Sequence, residues 1–371
     1  MMKLREILAG LVMILSLSAC EEEIKLNTVL GNDRITVNAV VDPDTVVIAF
    51  ISEATEFDYQ SSISMRSEYY LYDKVRNNPR ERIFDDLSLV EDEKKMLKNA
   101  KAELIVNDKD VYKMKYDKTY YTYNSEYIPK QGDNIKIRVD SLSKTQSDGS
   151  VIKLEPVEAE VSLPSTTPRI EVISTELKIK EREFVENKVN ERFTHYYGDG
   201  YGSDTVMIIR AKIIDPGDEK NYYRLFVRSI GLVQMRPEFP YQYSRVDEFK
   251  SSDMLFYDSD LVKPYGFLPA NFSNVFDDEL INGKEYEFTV ETRMRTKNVV
   301  EPYVIFELQH LSPDLYYYLK DIEVFRISDF DLYTNPIQIW SNVKGGWGVF
   351  GAMTYDTHIV PFENWELKVE N

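Results

Sequence analysis

Histidines come first in a search for catalysis, because imidazole acts as an acid, a base or a metal ligand near neutral pH. The chain has three, His195, His310 and His358. None lies in the H-E-x-x-H spacing that holds zinc on a helix, and no serine stands in a G-x-S-x-G nucleophile elbow. A Ser-His-Asp triad built from distant segments stays open. We predict no catalytic residue and a protein that is not an enzyme, with a surface hydrolase as the alternative.

A glycine-rich run at residues 346–351 matches the G-x-G-x-x-G fingerprint of dinucleotide-binding proteins. That fingerprint holds a pyrophosphate only where it joins a strand to the N-terminus of a helix. Residues 352–355 are not a helix start, and Trp347 would crowd a tight phosphate loop. We predict a glycine-rich turn or bulge between two late strands, and no cofactor.

Two groups of acidic residues could offer oxygen ligands to calcium. They are Asp253, Asp258 and Asp260, and Asp277, Asp278 and Glu279. Neither has the spacing of a calcium-binding loop. In a chain of formal net charge −18, solvated acidic loops are the simpler interpretation, so we predict no metal site. The same negative field repels nucleic acid, which excludes nucleic-acid binding.

Tyrosine is the most suggestive residue type, because it offers flat apolar area with a polar tip that suits sugars, peptides and partner proteins. Residues 234–275 form a long irregular stretch rich in Tyr, Phe and Pro. We predict partner or ligand contacts from eight of its residues: Met235, Phe239, Tyr241, Tyr243, Phe256, Tyr257, Tyr265 and Phe267. The alternative is that this stretch caps the core of its own domain.

The only cysteine is Cys20. It follows two basic residues and an apolar run at 7–17, which is too short to span a bilayer and is placed as in a signal peptide. Residues 17–20, Leu-Ser-Ala-Cys, resemble the lipobox of bacterial lipoproteins. This resemblance implies a signal peptide at 1–19 and acyl chains on Cys20 that anchor the protein to a membrane.

An acidic linker at 20–27 follows, and Glu21 to Glu23 open it. Acidic residues at this place resemble the signal that sends Bacteroidota lipoproteins to the outer face of the outer membrane. We therefore expect a lipid anchor in the outer membrane with the protein facing outward. The alternative is the periplasmic face.

Apolar and polar residues alternate along much of the chain, and this period of two is typical of half-buried strands. Such short strands between turns predict an all-β protein. The linker 164–168, Pro-Ser-Thr-Thr-Pro, predicts a domain boundary. We expect an immunoglobulin-like sandwich at 28–164 with a partly helical insertion near 53–99. A larger β domain at 168–371 should carry one helix that starts at Pro313, where Ser312 is a good N-cap.

These features together resemble a family of Bacteroidota outer-membrane lipoproteins known as domain-of-unknown-function (DUF) family 4249. The resemblance rests on the lipobox cysteine, on residues 35–42 and 127–133, and on two late segments, 336–346 and 348–352. It spans nearly all of the mature chain. It implies surface lipoproteins encoded near TonB-dependent receptors and supplies no catalytic residue.

Two functions remain from different classes. The first is a lipid-anchored binding protein that serves as accessory partner of a TonB-dependent outer-membrane transporter in nutrient capture. The alternative is a surface hydrolase, or a glycan-binding or adhesin lipoprotein. The first is preferred because no catalytic constellation is visible.

Overall fold

The fold is known from a computed structural model. It describes residues 34–53, 96–118, 121–145, 149, 151–181, 203–217, 219–233, 242–246, 249–259, 261, 271–294, 299–328 and 339–361. These residues form mostly strands, and one α-helix lies near the C-terminus. The all-β prediction is therefore confirmed. The insertion expected near 53–99 lies outside the described residues apart from its ends.

The first half of the chain forms a sandwich of two sheets. One sheet has the order β1-β2-β6-β5, made of Ile35–Val41, Ile48–Glu53, Thr122–Asn124 and Lys115–Asp117. The other has the order β10-β7-β3-β4, made of Val157–Ser162, Asn134–Val139, Ala102–Val106 and Asp110–Lys113. A hairpin of β8 and β9 is attached, made of Leu142–Thr145 and Val151–Leu154. In immunoglobulin lettering the sheets are A-B-E-D and G-F-C-C′, which is the strand order of an immunoglobulin-like sandwich.

Alternating side chains build this sandwich as the sequence indicates. In β10, buried and exposed residues alternate along Val157–Ser162. Between β1 and β2 the carboxylate of Asp42 accepts hydrogen bonds from the backbone N–H groups of Asp44 and Thr45, at 2.9 and 3.0 Å. Aspartate favours turns through such bonds to the backbone that follows. The turn at Pro43 is therefore held by a side chain next to it.

The second half forms another sandwich. One sheet has the order β11-β12-β17-β15, made of Arg169–Glu181, Ser203–Ile214, Glu285–Met294 and Phe249–Lys250. The facing strands are β14, β13, β18 and β16, made of Gln242–Val246, Tyr222–Val233, Val299–Leu311 and Val275–Asp277. A core of aliphatic and phenylalanine side chains fills the space between these sheets.

The last strand, β19 (Trp347–Pro361), belongs to both sandwiches. Residues 347–352 pair parallel with β1, and residues 353–361 pair antiparallel with β18. Phe350 and Ala352 are fully buried in the first core, and Val360 lies in the second. One continuous sheet therefore runs through the molecule, and the C-terminal end of the chain contributes to the first core.

The helix α1 (Pro313–Ser328) packs where the two sandwiches meet. Its Leu315 lies in a small cluster with Val40 from β1 and Val275 from β16. Ser312 begins the helix as predicted, since its carbonyl accepts from the backbone N–H of Tyr316 at 3.0 Å. The Ser312 hydroxyl also accepts from the backbone N–H of Ala352 in β19, at 3.0 Å. The helix is thus fixed to the shared strand at its first turn.

Candidate functional site

The two histidines that the structure describes contact backbone carbonyl oxygens. His310 is buried in β18, and its Nδ1 lies 3.3 Å from the carbonyl oxygen of Thr166 in the linker. His358 lies in β19 with Nε2 2.8 Å from the carbonyl oxygen of Ile170 and 3.6 Å from the carboxylate of Asp356. Burial lowers the pKa of His310, whereas the bond to Asp356 raises the pKa of His358. His195 lies outside the described residues.

The glycine-rich run lies at the start of β19 and brings two backbones close together. A Cβ on Gly346 would lie 2.2 Å from the carbonyl oxygen of Ile35, and one on Gly348 would lie 2.2 Å from that of Val37. Gly348 also has φ +102°, in the left-handed region. The run therefore lies within a strand and packs on β1, whereas a phosphate loop needs a helix at this point.

The acidic groups serve local structure. Asp253 caps a short 3-10 helix (Met254–Phe256) by accepting from the backbone N–H of Leu255. Asp258 forms an ion pair with Lys320 of α1, and buried Asp278 accepts from the backbone N–H of Asn221 at 2.8 Å. Asp260 lies outside the described residues. In the part of the chain described here, no three His, Cys, Asp or Glu side chains are grouped to hold a metal ion.

The eight predicted contact residues have different positions. Five of them lie outside the described residues, as does the anchor Cys20: Met235, Phe239, Tyr241, Tyr265 and Phe267. Tyr243 belongs to the edge strand β14. Phe256 is 1% exposed in the second core, against Phe249 and Phe276, so it offers no surface to a partner.

Tyr257 alone among these eight is described as an exposed side chain. It is 55% exposed, and Met254 one turn earlier is also exposed. Asp258 joins this segment to α1 through Lys320. The expectation of a partner contact therefore concentrates on the pair Met254 and Tyr257, beside the helix.

A second aromatic surface lies on the outer side of α1. We call it the aromatic platform, and it consists of Tyr222, Tyr316, Tyr317 and Trp340. Tyr222 starts β13, the middle two residues lie in the first turn of α1, and Trp340 comes from the segment before β19. Tyr317 and Trp340 are 42% and 43% exposed, and the other two are half-buried.

The rings of the aromatic platform touch one another. The ring centroids are 4.4 Å apart for Tyr222 and Tyr316, 5.9 Å for Tyr222 and Tyr317, and 5.3 Å for Tyr317 and Trp340. The last pair is tilted by 45°. Such distances and tilts are typical of attractive aromatic pairs. The four rings therefore form one continuous surface made of several planes.

Hydrogen bonds fix the exposed rings. The indole Nε1–H of Trp340 donates to Asp314 at 3.0 Å, and its backbone N–H donates to Asp321 at 2.6 Å. Nearby, the side chain of Asn342 bonds to the backbone N–H and carbonyl of Phe350, at 3.0 and 2.9 Å. Trp340 is thus attached to α1 and its segment to the shared strand.

The electrostatics of the platform favour neutral hydroxyls next to carboxylates. The hydroxyls of Tyr222 and Tyr317 lie 3.3 Å apart, and this contact, with burial, raises the pKa of Tyr222 to about 12. Burial likewise raises the pKa of Tyr316. It also raises the pKa of Asp321, against the lowering effect of the bond from Trp340. The platform can therefore offer hydroxyl donors and carboxylate acceptors at the rim of an apolar surface.

Sequence reasoning missed the aromatic platform. Its signal was the run Tyr316-Tyr317-Tyr318 in a predicted helix. Successive residues on a helix point about 100° apart, so three together cannot all face one core. Tyr318 faces the protein, and Tyr317 faces solvent.

Comparison with known proteins gives one match. The family model described as Domain of unknown function (DUF4249) matches residues 21–359. No curated protein and no solved structure matches the chain. Among the described residues, no helix has the length and apolar character needed to cross a membrane.

Proposed function

This chain belongs to the DUF4249 family, and on that premise we propose that it is a lipid-anchored surface protein that binds and does not catalyse. It acts as accessory partner of a TonB-dependent outer-membrane transporter in nutrient capture. The anchor is Cys20, and the protein faces outward from the outer membrane. A membrane partner is then met at high effective concentration, which favours even a weak interface.

The observation that carries this proposal is the exposed pair Met254 and Tyr257 beside α1. Met254 and Tyr257 lie on one side of the helix, joined to it by the pair of Asp258 and Lys320. Methionine and aromatic residues are enriched at the centres of protein interfaces. Backbone hydrogen bonds hold this segment before binding, among them the one from the N–H of Tyr257 to the carbonyl of Met254 at 3.1 Å, so the backbone loses little entropy when a partner docks.

Co-purification tests the proposal. The full-length protein carrying a C-terminal tag is cross-linked in cells, extracted in mild detergent and purified, and the bound proteins are identified by mass spectrometry. We expect a TonB-dependent transporter, and we expect its yield to fall at least severalfold with Tyr257→Ala. The matched control is Val111→Ala, because Val111 is 57% exposed on the first sandwich, away from α1. If no transporter comes down with the intact protein, the proposal is wrong.

A further inference from the structure

We propose that the aromatic platform is a carbohydrate-binding site that stacks on the apolar face of an uncharged pyranose residue in a soluble glycan. This inference rests on the proposed function, because it names the class of nutrient that the protein would capture. It concerns a surface separate from Met254 and Tyr257, so the experiment can tell a failure of sugar binding from a failure of transporter docking.

Stacking is the first step of the argument. A pyranose has a face of C–H groups with slight positive charge, and the face of an aromatic ring is negative. Lys220 lies 5.7 Å over the ring of Tyr222 and bonds to Asp277 at 3.0 Å, so it occupies that end of the platform. Tyr317 and Trp340, each more than two-fifths exposed, are therefore the two rings open to a ligand.

Polar groups beside these rings suit sugar hydroxyls. Asp314 and Asp321 each hold Trp340 through one carboxylate oxygen. In the described part of the chain, the second oxygen of each has no other bond, so it can accept from a hydroxyl. The hydroxyl of Tyr317 can donate or accept. A sugar ring presents hydroxyls around an apolar face, and this arrangement matches the platform.

The same geometry disfavours charged small ligands. Anions are repelled by the two carboxylates, in a chain that is already strongly negative. An aromatic cage would place a cation within about 6 Å of several ring centroids. Here the rings are in contact, with centroids 4.4–5.9 Å apart, so no ammonium group fits between them. A neutral ligand that lies on top of the rings is what remains.

The tilt of the rings adds a preference within carbohydrates. Tyr317 and Trp340 are inclined by 45°, so they cannot lie together on a flat crystalline surface. A single twisted chain can present successive residues to the two planes. We therefore expect binding of soluble oligosaccharides and little retention on a crystalline polysaccharide such as microcrystalline cellulose.

The experiment titrates the full mature protein in mild detergent with neutral hexasaccharides of β-1,4-glucose, α-1,4-glucose, β-1,4-mannose and β-1,4-xylose. Calorimetry and tryptophan fluorescence report binding. An oligogalacturonate serves as the anionic comparison, and an Arg- and Pro-rich peptide tests for a peptide site. We expect at least one neutral hexasaccharide to bind with a Kd between about 1 μM and 1 mM, the range of modest affinities.

Variants connect the binding to the platform. Trp340→Ala and Tyr317→Ala should each weaken the affinity at least tenfold, while Tyr317→Phe, which keeps the ring, should stay within about threefold. Tyr257→Ala is the matched control and should bind the sugar normally while losing the transporter. Trp340→Ala should lose the sugar and still bind the transporter. A thermal melt checks that this variant is folded. The inference is overturned if no neutral hexasaccharide binds, if both alanine variants bind normally, or if only the peptide binds.

Discussion

His310 and His358 lie in neighbouring strands and bond to carbonyl oxygens where the linker meets β11: Thr166 in the linker and Ile170 at the start of the strand. Their surroundings differ. His310 is buried, so its charged form is disfavoured, whereas His358 has Asp356 beside it. At the scale of residues, two side chains of a type often used in catalysis thus form hydrogen bonds at the junction of the two sandwiches. Their opposite pKa shifts give the junction a defined response to pH.

The two histidines should change the pH dependence of stability with opposite sign. The lowered pKa of His310 means that the unfolded chain takes up a proton below about pH 6.5 while the folded chain resists it. His310→Gln should therefore make the loss of unfolding free energy between pH 7.5 and 5.5 smaller. The raised pKa of His358 stabilises the fold at low pH, and this contribution is lost as pH rises through that pKa. His358→Gln should make the loss on acidification larger.

Urea unfolding at pH 7.5 and 5.5 measures the loss of unfolding free energy in each variant, with the parent protein as reference. An equal loss in the parent and in both variants would show that neither histidine has the surroundings described here.

Asp321 gives a second prediction at this scale, because burial raises its pKa while it accepts the backbone N–H of Trp340. In Asp321→Asn the amide oxygen keeps that bond and no charge is buried. A raised carboxylate pKa costs stability at neutral pH, and the cost disappears as pH falls and the carboxyl is protonated. The variant should therefore be as stable as the parent or slightly more so at pH 7, with the difference vanishing near pH 4. A variant clearly less stable at pH 7 contradicts this account of Asp321.

At the scale of elements, the glycines of residues 346–351 show how a motif can be present without its function. The letters of a dinucleotide fingerprint occur here because the shared strand lies directly against β1, whose carbonyl oxygens leave no room for a Cβ. Gly351 serves the helix in a similar way, since a Cβ there would meet Leu315 at 2.8 Å. The motif is explained by packing among β1, β19 and α1.

Gly348→Ala should therefore destabilise the protein by about 2–4 kcal/mol, from backbone strain at positive φ together with the clash against Val37. The matched control is Gly149→Ala. Gly149 has a similar φ of +85°, but a Cβ there would meet nothing within 4 Å. The control should cost only about 1 kcal/mol, the price of the left-handed backbone alone. Equal losses of unfolding free energy in the two variants would contradict the close approach of β19 to β1.

Elements could be predicted well where the signal is local. The alternation in β1 and β10 and the start of α1 at Ser312 depend on residues close in the chain. The exposed Tyr317 and Trp340 were missed because their contact joins the helix to a segment more than twenty residues later. The burial of Phe256 was also missed, since an aromatic residue in an irregular stretch has the same local pattern in a core as on a surface.

At the scale of the whole molecule, the shared strand makes the two sandwiches depend on each other. The pairing of β1 with residues 347–352 joins positions some 300 residues apart, and periodicity carries no sign of such a partner. The linker 164–168 separates two cores, yet residues 343–352 contribute Val343, Phe350 and Ala352 to the first.

A fragment of residues 28–164 should accordingly fold poorly on its own. It lacks Phe350 and leaves the edge of β1 open, and such edges promote association. Joining residues 339–353 to its C-terminus by a Gly/Ser linker should restore cooperative urea unfolding, because Lys344 lies beside Glu158 near the fragment's end. The same fusion carrying Gly348→Ala is the control and should restore much less. A fragment that unfolds cooperatively without the added strand would contradict this dependence.

Photo-crosslinking in intact cells tests the proposed docking on a transporter most directly. The photo-reactive amino acid p-benzoyl-phenylalanine replaces Tyr257 in one strain and, as control, Val111 in another, both exposed in the free protein. After illumination, we expect a covalent adduct between this protein and a TonB-dependent transporter from position 257 and none from position 111. The absence of a transporter adduct at position 257, with the protein folded and anchored, would contradict the proposed function.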